Sequence, residues 1–70
     1  MRLALTNLDN GLYLESNGRW TAECKLAKNF WDSESVAKAA RDNNVKNAAA
    51  AIVHGDPPNA MGFFWVTNPN

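Results

Sequence analysis

The stretch Ala48-Ala49-Ala50-Ala51-Ile52-Val53-His54 decides the fold, because it is compatible with either a helix or a strand. Alanine favours a helix, whereas Ile-Val followed by Gly-Asp-Pro-Pro at positions 55–58 favours a strand that ends in a turn. A helix continuing from Ser33 would have to pass through residues 43–47, Asn-Asn-Val-Lys-Asn, which are poor helix formers. We therefore predict a strand over Ala49–His54.

A β-hairpin is predicted at the start of the chain, where two alternating apolar segments flank Asp9-Asn10-Gly11. With Asn-Gly as the two loop residues of a type I′ turn, in which both take positive φ, Asn7 lies opposite Leu14. Alternation then places the leucines at positions 3, 5, 12 and 14 on one face, which is expected to be core. The other face receives Ala4, Thr6, Leu8, Tyr13 and Glu15.

One helix is predicted over residues 33–43. The side-chain oxygen of Asp32 or Ser33 can cap free N–H groups of its first turn. Asn43-Asn44 suits the C-terminal end, because asparagine tolerates the left-handed conformation. The helix carries a narrow apolar stripe, which consists of Val36, Ala39 and Ala40. Such small residues predict that the helix lies close against a sheet.

The predicted order of elements is β-β-α-β-β in a single domain spanning residues 1–70. The segment Ala22–Asn29 is either an irregular turn or one helical turn that ends at Phe30 and Trp31. An eight-residue loop over 55–62 leads to a last strand over 63–67. This order predicts an α+β fold, in which one helix packs on one face of a four-stranded antiparallel sheet.

Charge and cysteine content narrow the class of protein. The formal net charge is zero and charges of both signs are interspersed, so the cationic stripe of a nucleic-acid-binding protein is missing. Cys24 is the only cysteine, which favours a reducing compartment. The first residues lack the apolar run of a signal peptide, and the longest apolar run, 48–53, is far short of a membrane span. We expect a cytoplasmic protein that does not bind membranes.

Few residues suit catalysis. His54 and Asp56 could form a general-base pair, but no serine or cysteine lies nearby in the sequence. Cys24 lies near Lys25 and Lys28, which could lower its pKa, although a lone cysteine usually packs as a small apolar residue. One histidine and one cysteine cannot complete a four-ligand zinc site. We expect no enzyme activity, no metal and no cofactor.

The feature that bears most directly on function is the face of the sheet that a single helix leaves uncovered. With Phe64 and Val66 pointing inward, the uncovered face carries four apolar side chains, which are Leu8, Tyr13, Phe63 and Trp65. Contiguous exposed apolar surface marks interaction sites, so these residues are expected to contact a protein partner or a second copy. Alternatively, the segment from Arg19 to Phe30, with Trp20 and Trp31, folds back and buries this face.

A nucleic-acid-associated protein is a further alternative. Arg19, Trp20 and Lys28 could then stack on and neutralise a single strand. The neutral overall charge argues against this alternative.

Residues 12–40 carry a recognisable order of packing residues: Gly18-Arg19-Trp20-Thr21, then Ala27-Lys28-Asn29-Phe30, then a helix start at Ser33. This order resembles a pattern in small phage and bacterial α+β proteins of unknown function, with a strand, Gly-x-Trp-Thr, Ala-x-x-Phe and a Ser-capped helix. The resemblance implies packing roles for Trp20, Ala27 and Phe30. It also implies a mobile-element origin, from which small chains often act as non-enzymatic inhibitors of a host complex such as a defence system.

Overall fold

The computed structural model describes residues 2–56 and 58–66 of the chain. It confirms the α+β prediction, with one α-helix and a five-stranded antiparallel sheet. The elements are β1 (Arg2–Asn7), β2 (Leu12–Leu14), β3 (Trp20–Thr21), α1 (Ser33–Asp42), β4 (Ala48–His54) and β5 (Asn59–Trp65). Across the sheet the strands follow the order β3-β2-β1-β4-β5, so that β3 and β5 form its two edges.

The alanine-rich stretch is a strand, as predicted, and it is the strand on which the fold depends. β4 pairs with β1 from Arg2↔Val53 to Asn7↔Ala48, and with β5 on its other side. All four of its alanines are buried. A strand covered on both faces loses the usual alternation of polar and apolar residues, and tertiary pairing here outweighs the helix propensity of alanine.

The first hairpin forms, but the predicted turn is wrong. Asn7 pairs with Leu12 rather than with Leu14, so the loop has the four residues 8–11. Gly11 takes a φ of +74°, whereas Asn10 does not have positive φ, which excludes the type I′ turn. The Asn7 carbonyl instead accepts the N–H of Gly11 at 2.7 Å. Because the register differs by two residues, the side chains within the two strands keep their predicted faces. Leu8 is the exception, since it lies in the loop and not on the face predicted for it.

The helix begins and ends where its capping residues predict. The Asp32 side chain accepts a hydrogen bond from the Ser35 N–H at 2.8 Å, and Asn44 takes a left-handed φ of +57° after the last turn. Val36 and Ala40 are buried against the sheet. On this side the core consists of Leu5, Leu14, Phe30, Val36, Ala40, Val45, Ala48 and Ala50.

The sheet has one strand more than predicted, because Trp20 pairs with Leu14 to start β3. After β3 the ambiguous segment forms a short 3₁₀-helix, Cys24–Leu26. The chain then runs along β1, where Phe30 donates its N–H to Leu3 at 2.8 Å and accepts the Leu3 N–H at 3.1 Å. This segment satisfies the part of the β1 edge that the three-residue β2 is too short to reach.

The last strand begins earlier than predicted, at Asn59 rather than at Phe63. Only residues 55–58 therefore connect β4 to β5, and Thr67, predicted to end the strand, lies outside the described residues. The pairing shifts by one residue where Ile52↔Gly62 is followed by Val53↔Ala60, so that Met61 forms a β-bulge. Pairing with β4 overrides the weak strand propensity of residues 59–62.

Within the described part of the chain, no helix combines the length and the hydropathy that crossing a bilayer requires. The longest helix is α1, with ten residues. The helix lies on one side of the sheet, and the opposite side is called here the second face.

Candidate functional site

The second face is built from two rows of paired residues that run across the strands. The first row consists of Thr21, Tyr13, Thr6, Ala49 and Trp65. The second consists of Ala4, Ala51 and Phe63. In both rows the residues on β1 and β4 are small and buried. Large aromatic side chains therefore stand only to either side of these two strands, over β2 and over β5.

The middle of the second face is covered, which corrects the expectation of a bare sheet. Cys24 and Ala27, from the segment after β3, pack with Ala4, Ala51 and Val53. The alternative in which this segment folds back is thus correct for its 3₁₀-helix. It is wrong for the tryptophans, since Trp20 packs on the α1 side and Trp31 is 91% exposed.

The structure separates the four residues predicted to form an interaction surface, and only Phe63 and Trp65 lie together. Phe63 and Trp65 are 54% and 57% exposed and lie two residues apart on β5. Tyr13 is half-buried on β2, three strands away from β5, where it packs beside Cys24 and Ala27. Burial, and next the negative charge of the Cys24 thiolate, raise the pKa of Tyr13. Leu8 lies in the turn between β1 and β2.

The backbone of β5 adds a feature that sequence reasoning missed, because β5 is an edge strand. The Val66 N–H donates to the Ala48 carbonyl at 3.2 Å. Since hydrogen-bonded residues alternate along an antiparallel pair, Phe64 also bonds toward β4, and the N–H and C=O groups of Phe63 and Trp65 point away from the sheet. The residues with exposed rings on the second face are therefore also the residues with free backbone groups.

The β5 strand itself is uncharged, although Asp32 and Glu34 line an open cavity with Phe64, Trp65 and Val66 on the α1 side. No residue from Asn59 to Val66 carries a charge, and Met61 at the bulge is 69% exposed. The name β5 margin is used below for the side chains of Met61, Phe63 and Trp65 together with the outer backbone edge of β5. The free edge of β3 is much shorter, with two residues.

Two of the three residues that the nucleic-acid alternative requires, Trp20 and Lys28, make contacts within the protein. Trp20 is half-buried against the α1-side core. The Lys28 Nζ lies 5.3 Å from the ring centre of Phe30, within the range of a cation–π contact. Arg19 is exposed. Trp20 thus contributes to the core, and it does not stand as a free platform for a base.

The structure does not join the two residues of the proposed general-base pair. His54 and Asp56 are exposed, and no hydrogen bond or ion pair of the described residues links them. His54 instead lines an open cavity of about 360 Å³ with Arg2 and Trp31, in which Asp56 takes no part. Among the residues described, no three His, Cys, Asp or Glu side chains cluster closely enough to hold a metal ion.

Function must be argued from this geometry, since fold class alone does not imply an activity. Among residues 2–56 and 58–66, the β5 margin combines exposed apolar side chains with backbone groups that have no partner there. Compared with known protein families, with curated proteins and with solved structures, the chain matches none.

Proposed function

We propose that this protein is a non-enzymatic binding module that acts through a protein–protein surface, and that this surface is the β5 margin. The observation that carries the proposal is the exposure of more than half of both the Phe63 and the Trp65 side chains, side by side on an uncharged strand. Complete burial of a phenylalanine is worth about 1.5–3 kcal/mol. A small domain that leaves such rings in water regains this free energy when a partner covers them.

The character of the surface favours a protein partner over a nucleic acid. Tryptophan and other aromatic residues are typical anchors at the centre of protein interfaces. A nucleic-acid surface requires clustered cations, and β5 contributes none. The partner is therefore expected to offer apolar side chains, an extended strand, or both.

Within this function we propose a more specific role, that of an inhibitor of a host complex such as a defence system. The resemblance of residues 12–40 to small phage and bacterial proteins supports this role. The lone Cys24 is in keeping with action in the reducing cytoplasm of a host cell. A genomic position among phage or plasmid genes is the expected finding. A position among housekeeping genes would count against a mobile-element origin.

The experiment compares two sets of exposed aromatic residues. The Phe63→Ser/Trp65→Ser variant removes the rings of the β5 margin, and Trp31→Ser is the matched control because Trp31 is 91% exposed and lies before α1. Each protein is immobilised, and captured partners are then purified and titrated against it. We expect the double variant to weaken binding at least about 100-fold and the control to leave it unchanged. Equal affinities for all three proteins would refute the proposed function.

A further inference from the structure

We propose that the β5 margin binds a second copy of this chain, whose β5 adds antiparallel to the outer edge of the first. A two-fold axis at Phe63 then relates the copies and creates one sheet from two five-stranded sheets. This inference rests on the proposed function and names the partner for that same surface.

In the described part of the chain, the outer edge of β5 has free backbone N–H and C=O groups. The N–H and C=O groups of Phe63 and Trp65 point away from β4, and nothing among the described residues bonds to them. A seven-residue edge strand with free groups is a template for another strand. An antiparallel two-fold pairing satisfies both copies with the same residues, since each donates to and accepts from the other.

The absence of charged side chains on β5 allows two copies of this strand to pair. Edge strands of monomeric proteins commonly carry lysine or other charges that prevent two copies from joining. Asn59–Trp65 carries no charge, and the chain has a formal net charge of zero. No like charges therefore lie opposite each other within the paired strands, and the acidic residues nearest this edge, Asp32 and Glu34, lie on the α1 side.

The side chains match across the proposed axis. Pairing about Phe63 places Phe63 opposite Phe63 of the second copy, and Trp65 opposite Met61 of the second copy. Aromatic pairs and sulfur–aromatic contacts are both favourable across strands. The bulge leaves Met61 exposed at 69%, so its side chain is available for this contact.

The buried area indicates a dimer of moderate affinity. The rings of Phe63 and Trp65 are just over half exposed, and Phe64, on the α1 side of the same strand, is 37% exposed. Together they correspond to about 300 Å² per protomer. With Met61 and the strand backbone, two copies bury on the order of 1,000 Å², the lower limit for a specific interface. We therefore expect a dissociation constant on the order of 10 μM.

Assembly stops at two copies. In the part of the chain that the structure describes, each protomer has one long sheet edge, β5, and a two-fold contact uses it on both partners. The other edge, β3, has two residues and offers too few groups to extend the sheet. A dimer is the expected end state.

Sedimentation equilibrium from about 1 μM to 1 mM tests the pairing. The wild type is expected to rise from 7.7 kDa to twice that mass. Trp65→Ala removes a ring and should weaken the dimer about tenfold. Trp65→Pro also removes an outward N–H, which an edge strand tolerates within its own fold, and should abolish the dimer. Trp31→Ala should dimerise like the wild type.

The register is tested by cross-linking. In antiparallel strands, directly opposed hydrogen-bonded residues have Cα atoms about 5.5 Å apart, within the range of a disulfide. Mild oxidation should link two copies of the Cys24→Ser/Phe63→Cys variant. The control variant, Cys24→Ser/Ser35→Cys, has its thiol at an exposed position on α1 and should stay unlinked.

The outcomes separate this inference from the proposed function. A wild type that stays monomeric up to 1 mM overturns the self-pairing. If its foreign partner is then still lost in the Phe63→Ser/Trp65→Ser variant, the proposed function stands without a dimer. A dimer that Trp65→Pro and Trp65→Ala weaken equally also overturns the inference, because the rings would then associate without strand pairing. Circular dichroism spectra that match the wild type establish that each variant is folded.

Discussion

At the scale of single residues, the centre of the second face contains an unusual group. The Thr6 hydroxyl oxygen is buried and has no hydrogen-bond partner. Its neighbours across the strands are Tyr13 and Ala49, and neither bonds to it. A buried hydroxyl without a partner loses its hydration and gains nothing in return.

Replacing Thr6 by valine should therefore stabilise the protein. Thr6→Val keeps the β-branched shape and removes the unsatisfied hydroxyl, so we expect the free energy of unfolding to rise by about 1 kcal/mol. Urea denaturation followed by tryptophan fluorescence measures this change. Thr6→Ala is the control, because it also removes a methyl group and should not stabilise. A loss of stability in Thr6→Val would mean that the hydroxyl has a bonding partner.

At the scale of elements, the helix depends on its N-terminal cap. Hydrogen bonds from the side chain and then from the backbone of Ser35 lower the pKa of Asp32, against a small opposing effect of burial. The carboxylate form is thus favoured in the folded state. Its stabilising contribution is complete above the ordinary pKa near 3.8 and is lost as the pH falls through the lowered folded-state value.

Asp32→Ala should therefore lower the melting temperature at pH 7, because the Ser35 N–H loses its acceptor. The difference from the wild type should stay constant down to about pH 4 and shrink below it. Thermal melts followed by circular dichroism from pH 7 to pH 2.5 measure both effects. A difference that grows as the pH falls would contradict this assignment.

The sequence predicted the elements that carry capping residues, turn residues or a clear period. It missed the elements that are too short to show such a pattern. The capping residues Asp32 and Asn43-Asn44 predicted the helix, and the Gly-Asp-Pro-Pro turn predicted β4. β3 and the 3₁₀-helix are too short to show a period. Asn10-Gly11 suggested a two-residue turn, but the pairing of Asn7 with Leu12 requires four loop residues.

The sequence predicted which side chains of the last strand share the candidate site. It did not predict that the outer backbone groups of this strand have no partner among the residues that the structure describes. Alternation along the last strand was enough to put Phe63 and Trp65 on one face. That β5 lies at an edge follows from the strand order, which no local pattern encodes. The start of β5 at Asn59 was likewise missed, because residues 59–62 pair only through their contact with β4.

At the scale of the whole molecule, the fold has one protected side and one unprotected edge. α1 covers one face of the sheet, and the segment with Cys24 and Ala27 covers the middle of the other. The long edge of β5 remains open, with exposed rings beside it. A chain of 70 residues builds only a small hydrophobic core. Because pairing at this edge stabilises the folded state, the stability of the protein should rise with its concentration.

Hydrogen exchange of single backbone amides at two protein concentrations tests the central claim most directly. The Phe64 amide bonds toward β4 and should be protected in both samples, whereas the Phe63 and Trp65 amides should exchange freely at about 1 μM. At about 1 mM the exchange of the latter two should slow at least tenfold, because carbonyl groups of the second strand accept hydrogen bonds from them. Equal and fast exchange of Phe63 and Trp65 at both concentrations would contradict pairing at the β5 edge.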